Sequence, residues 1–172
     1  MTSTWFRLWP VLFLVLAAGQ VQAGELKPYK GKAEPAPLRL KDLSGRVHTL
    51  AQHKGEVVLV NFWATWCPPC RIEMPSMWRL KNRFRDRPFT VVAVDMGDSL
   101  ESVNTFLPDA MKRDFVVLMD EDGEALKAWK VFAFPTSYLL DRQGRIRYAL
   151  YGALEWDEPE VVEVVEKLLS EK

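Results

Sequence analysis

Val57-Val58-Leu59-Val60-Asn61-Phe62-Trp63-Ala64-Thr65-Trp66-Cys67-Pro68-Pro69-Cys70 is the stretch that decides the fold. Its first six residues are apolar except for Asn61, and a run of that length and character is expected of a strand buried on both faces. Residues 63–66 then lead into a helical pattern opening at Pro68, which suits the first helical position because its missing N–H costs nothing there. Met74, Met77, Leu80 and Phe84 recur at spacings of three and four, so the helix is expected over residues 68–84, bent at Pro75. Both cysteines of the chain therefore fall at a strand-to-helix junction. A thiol at a helix N-terminus lies beside unpaired N–H groups and the positive end of the helix dipole, which stabilise its thiolate. A second sulfur one turn on can close a ring with it.

With 172 residues and 48% hydrophobic side chains, the chain has material for one main domain with a sizeable core. Lys+Arg and Asp+Glu both number 23, a balance that gives no charge-based case for nucleic acid or an anionic membrane surface as partner. Residues 1–23 read as an export signal: Arg7 is the only charge, residues 11–18 are apolar, and Val21-Gln22-Ala23 is a small-residue cleavage site. The apolar part is short of the roughly 20 residues needed to span a bilayer, and Arg7 and Pro10 interrupt what precedes it. An uncleaved membrane anchor is the alternative. Export implies an oxidising compartment, yet two cysteines are too few for a disulfide scaffold. A bridge from Cys67 to Cys70 closes a very short loop, and the loop-entropy relation gives it about 2 kcal/mol, against about 4.7 for a hundred-residue loop. Such a bridge is a poor staple and a candidate reactive group.

Residues 24–37, with Pro28, Gly31, Pro35 and Pro37, read as an N-terminal arm, and residues 38–172 as the main domain. A hairpin is expected from 38–43 and 46–50 around Ser44-Gly45, a second buried strand at 89–94, and a third strand at 115–119. Ser99 is placed to cap a helix over 99–107, and a short helix is expected at 124–129. Strands at 136–140 and 146–151 flank Arg142-Gln143-Gly144 as a hairpin, and a last helix starts near Pro159 with Val161, Val164 or Val165, and Leu168 on one face. This order predicts an α/β fold: a central mixed sheet with helices on both sides. Arg79, Lys81, Arg83, Arg85 and Arg87 suit the last turns of a helix, where cations complement the dipole and stay solvated.

The stretch from Val58 through Cys70 to Arg71-Ile72-Glu73-Met74-Pro75 resembles the active-site segment of exported thioredoxin-like proteins of the TlpA/ResA type. Phe134-Pro135-Thr136-Ser137-Tyr138-Leu139-Leu140-Asp141, followed by Gly144, resembles their second signature. The resemblance implies a thioredoxin-like fold with a helical insertion around residues 97–113 and thiol-disulfide oxidoreductase activity without a cofactor. It implies that Cys67 is the exposed attacking cysteine and Cys70 the buried resolving one, which agrees with their places at and inside the helix start. It places Pro135 in a cis peptide beside the cysteines, with Phe134 and Thr136 as candidate substrate-groove residues. Phe134 is bulkier than the family pattern leads one to expect, and it has two readings, a partner contact or core packing. Glu73 shares a helix face with Cys70 and can exchange a proton with it, a task Asn61 cannot take because an amide does not titrate. Trp66 is expected to cover the disulfide, and Pro68 and Pro69 to restrict the turn between the sulfurs. Asp95 and Asp98 follow a strand in an α/β fold but receive no role.

The resemblance further implies exported, disulfide-bearing protein substrates, with apocytochrome c or copper-site cysteines among them, a periplasmic setting and a membrane thiol-disulfide electron donor. The rival redox readings are a general disulfide oxidase or isomerase and a peroxidase. The non-enzymatic rival is a metal module, in which His48 and His53 join Cys67 and Cys70 as a Cys2His2 set.

Overall fold

The computed structural model describes residues 25–171. The export signal and its anchor alternative lie outside them. Among the described residues no helix is long and apolar enough to cross a membrane.

The opening stretch forms β4 (Val57–Trp63), and every one of its seven residues is buried. A strand hidden along its whole length must be covered on both faces, which is why it reads as a continuous apolar run. Among the described residues it sits inside a mixed sheet of eight strands. From one edge, these are β1 (Lys27–Pro28), β8 (Ile146–Tyr151), β7 (Thr136–Leu140), β4, β5 (Phe89–Met96), β6 (Val116–Asp120), β2 (Arg39–Asp42) and β3 (Val47–Thr49). β4, β5 and β6 run parallel, and β7 is antiparallel to β4.

Parallel neighbours need crossover connections, and the chain supplies them as helices. α1 (Pro68–Arg83) joins β4 to β5 and buries Met74, Met77 and Leu80. It runs through Pro75 unbroken and ends one residue before Phe84, with Pro75 on its exposed side. The insertion between β5 and β6 is two helices, α2 (Leu100–Phe106), capped by Ser99, and α3 (Asp109–Asp114). The break falls at Leu107-Pro108, since a residue before proline is disfavoured in helical geometry. α4 (Glu124–Ala128) follows β6, and α5 (Pro159–Ser170) closes the chain with Val161, Val162, Val165, Leu168 and Leu169 buried.

The β7–β8 hairpin forms where expected. Its turn is set by the buried Asp141, whose Oδ1 accepts the backbone N–H groups of Gln143 and Arg145, and by Gly144 at φ 80°. The arm at 24–37 is more ordered than its composition implies. Lys27 and Pro28 pair with Tyr148 and Ala149 as an edge strand, and Ile146 N–H donates to the Ala33 carbonyl. Of the basic residues Arg79, Arg83, Arg85 and Arg87 are exposed as expected and Lys81 is half-buried. Lys81 donates to the Phe89 carbonyl at 2.8 Å, and Arg79 is paired with two carboxylates.

The metal reading fails on topology. His48 is on β3, the far edge of the sheet, where it pairs with Asp42. His53 pairs with Glu56, at the end of β4 opposite the cysteines. Among the described residues no three His, Cys, Asp or Glu side chains gather as a metal site.

Candidate active site

Cys67 is the N-cap of α1. Its Sγ accepts the Cys70 N–H at 3.3 Å, and Pro68 and Pro69 fill the first two helical positions on the exposed side. A donor aimed at sulfur from a helix N-terminus favours the thiolate over the thiol. Cys67 and Cys70 are joined as a disulfide, with Cα atoms 5.4 Å apart. In this oxidised form Cys67 is only 3% exposed and Cys70 fully buried. Cys67 Sγ is thus less open than the sequence suggests, although its position at the cap leaves it the outer of the two.

The sheet brings the second signature to the same place. Phe62 on β4 is in register with Thr136 on β7, so Pro135, one residue earlier, lies beside the point where β4 runs out into residues 64–66. The Phe134–Pro135 peptide is cis. Phe134 is half-buried, and its ring meets that of Trp66 edge to face at 5.6 Å. Trp66 itself is 62% exposed while Phe134 also packs against the core, so the pair forms an aromatic ledge beside the disulfide with Phe134 as its rooted half. Thr136 is buried and its hydroxyl donates to the Ala133 carbonyl. It can shape the turn but does not line an open groove. Phe132, in the loop before β7, and Tyr151, at the end of β8, are both exposed and their rings stack at 5.0 Å.

Glu73 is three residues beyond Cys70 on α1 and is 1% exposed. Three donors converge on its carboxylate: Asn61 Nδ2 at 2.8 Å to Oε1, and Trp156 Nε1 at 3.1 Å and Leu154 N–H at 3.2 Å to Oε2. Burial, partly offset by those donors, pushes its pKa up to about 7. A carboxyl poised near neutrality can both take and return a proton at working pH. Asn61, which also donates to Ser137 Oγ, has its own Oδ1 buried without a partner. Turning the amide over would present that oxygen to a protonated Glu73, so the site holds a match for either state of the acid.

Sequence reasoning missed two groups here. Trp156 and Leu154 lie more than eighty positions from Glu73, and nothing in their local pattern announces the contact. Asp95 and Asp98 were located but given no task. Asp98 accepts the Thr65 N–H at 2.7 Å and the Thr65 hydroxyl at 2.8 Å, which fixes the segment leading into Trp66 and Cys67. Asp95 is fully buried behind it, accepts the Asp98 N–H at 3.1 Å, and is pushed up to about 8 by burial and by the neighbouring Asp98 carboxylate. Their place at the C-terminal end of a parallel strand is the one signal that pointed to them.

A strand-to-helix dithiol, a cis proline on the adjacent strand and a buried acid behind the inner sulfur define a thioredoxin-fold thiol-disulfide exchange protein. The AhpC/TSA family model matches residues 32–149. The thiol-disulfide oxidoreductase ResA of Geobacillus kaustophilus is 32% identical over 121 residues, covering 70% of this chain and 69% of that protein. The thioredoxin-like protein YneN of Bacillus subtilis is 40% identical over 124 residues, covering 70% and 71%. Among solved structures, a putative thiol:disulfide interchange protein DsbE from Chlorobium tepidum superposes with a TM-score of 0.66 at 29% identity, covering 81% of this chain and 95% of that one. The chain belongs to the AhpC/TSA family and, within it, to the thiol-disulfide oxidoreductases of the TlpA/ResA type.

Proposed function

We propose that the protein works reductively on disulfides of exported proteins in the periplasm, with Cys67 as nucleophile, Cys70 as resolving thiol and Glu73 as the group that exchanges the proton of Cys70. The observation that carries this reading is the Glu73 carboxyl, buried one turn behind Cys70 and held near neutrality.

In the reduced enzyme, the Cys67 thiolate attacks one sulfur of a substrate disulfide. A mixed disulfide forms, and the other substrate sulfur leaves as a thiolate that takes a proton from water. Glu73 accepts the Cys70 proton, and the Cys70 thiolate attacks Cys67 Sγ. That step releases the second substrate sulfur and leaves the Cys67–Cys70 disulfide seen in the structure. The second substrate sulfur leaves as a thiolate and takes up a proton as Glu73 gives up the one it accepted, so the substrate gains two electrons from the enzyme sulfurs and two protons, one from water and one that began on Cys70. A membrane dithiol donor returns the enzyme to its reduced form. Holding Cys70 three residues from Cys67 makes the second exchange intramolecular. The Trp66–Phe134 ledge offers an apolar surface for the segment around the substrate sulfur. Cysteines of apocytochrome c haem-attachment sites and of copper-site proteins are the substrates that the TlpA/ResA resemblance implies.

The midpoint potential, measured by equilibration with glutathione buffers, tests the direction. A reducing value, at or below that of thioredoxin near −270 mV, supports a reductase; a value near −120 mV, as for the strongest oxidant of this fold, overturns it.

A further inference from the structure

Arg79 lies six residues beyond Glu73 on α1 and reaches across to the loop between β8 and α5. Its Nε donates to Asp157 Oδ2 at 2.6 Å, and its Nη2 donates to Asp157 Oδ1 at 3.0 Å and to Glu155 Oε2 at 3.2 Å. Leu154 and Trp156 alternate with these two acids and face the other way. The Leu154 N–H and the Trp156 indole both donate to Glu73 Oε2, and the Trp156 N–H donates to Ser76 Oγ at 3.0 Å. The loop is therefore held from outside by one cation while its inner side supplies two of the three donors to the buried acid.

We propose that Arg79 is a positioning residue for the dithiol reaction: clamped on Glu155 and Asp157, it seats residues 154–157 so that the Leu154 N–H and the Trp156 indole reach the carboxyl of Glu73. The inference rests on the reading that Glu73 exchanges the Cys70 proton. Every element packed around that carboxyl bears on it. α1 brings Cys70, with Ser76 donating to the Glu73 backbone carbonyl and not to the carboxyl, β4 brings Asn61, β7 brings Ser137 through Asn61, and the loop brings Leu154, Trp156 and the charge of Glu155. Losing Arg79 acts in one direction only. The two loop donors loosen, which withdraws hydrogen bonds from the ionised form, and Glu155 is left unneutralised beside it, which repels that form further. Both changes favour the protonated acid.

The test follows the Glu73 carboxyl carbon by NMR in the full chain labelled on glutamate, oxidised and titrated, with the resonance assigned by its absence in Glu73→Gln. In Arg79→Met the midpoint should rise by about half a pH unit or more, roughly a three-fold change in the protonation constant. Arg79→Lys should recover part of the shift, since an ammonium keeps the charge but cannot grip a carboxylate in two places. Asp157→Asn should move the midpoint the same way, and Arg83→Met, which removes another exposed cation of α1, should leave it in place. An unchanged or lowered midpoint in Arg79→Met, or an equal rise in Arg83→Met, overturns the proposal. The carboxyl titration reads the seating of the loop directly. A thiol titration of reduced Glu73→Gln reads the proton-exchange role separately, so each reading fails on its own result.

Discussion

Glu73→Gln should remove a pH dependence from the stability of the protein. In the folded chain the carboxyl titrates near 7 because burial disfavours its charge, and on unfolding it returns to its ordinary value of 4.5. Between those values the folded form binds more protons than the unfolded one. The stability that goes with a neutral Glu73 is then fully present below about pH 4.5 and is lost as pH rises through about 7. A gap of about 2.5 pH units, at about 1.36 kcal/mol per unit, is worth about 3 kcal/mol across that window. Gln cannot ionise, so the variant does not lose it, and the oxygen of its amide can still accept from Trp156 and Leu154. Urea unfolding of the oxidised wild type and Glu73→Gln at about pH 4, 6 and 8 reads the difference, in which the titration of Asp95 cancels because both proteins carry it. The stability of wild type relative to variant should fall by about 3 kcal/mol from the acid to the alkaline end of that series. A difference that stays flat with pH, or grows in favour of wild type as pH rises, refutes the reasoning that burial holds this acid neutral.

Three further outcomes follow from the same geometry. Trp156→Phe keeps the buried ring but removes the Nε1 donor, so the Glu73 carboxyl should titrate at higher pH, visible in the same carboxyl NMR; a downward shift contradicts the assignment. Asp98→Ala strips both acceptors from Thr65 and should cost about 1–3 kcal/mol in urea unfolding, with slower attack by Cys67 in stopped-flow exchange; a variant of unchanged stability shows that the segment before Cys67 is held by other means. Trp66→Ala, at a largely exposed position, should leave stability within about 0.5 kcal/mol and slow reduction of protein disulfides more than reduction of a small disulfide reagent. Equal slowing of both assigns Trp66 to the sulfur chemistry and not to the substrate.

What could be read from the sequence follows the range of the interactions involved. β4 and the start of α1 were legible because burial on both faces writes a continuous apolar run and because proline at the first helical position is a local signal. The cis peptide at Phe134–Pro135 came from the family resemblance and not from local chemistry, since most X-Pro bonds are trans. Glu73 was placed correctly on the Cys70 face by helical spacing alone. The environment that sets its protonation was hidden, because Asn61 comes from β4 and Trp156 from a loop beyond β8, and only the sheet order brings them together. Arg79 is exposed, as a cation on a helix is expected to be, but its partners were hidden for the same reason, because the loop that carries Glu155 and Asp157 meets α1 only in the folded chain. The edge strand in the N-terminal arm was hidden because prolines and charges suit a linker, yet an edge strand tolerates proline, and Pro28 sits on one.

In the proposed exchange Cys67 attacks and Cys70 resolves. The measurement that bears on it most directly pairs Cys70→Ser and Cys67→Ser, each pre-reduced and mixed with a disulfide-bonded peptide carrying a haem-attachment type cysteine pair, with the covalent products weighed by mass spectrometry. Cys70→Ser should accumulate a stable mixed disulfide through Cys67, and Cys67→Ser should accumulate none. A mixed disulfide that builds up through Cys70 in the Cys67→Ser protein, with none in Cys70→Ser, reverses the two roles.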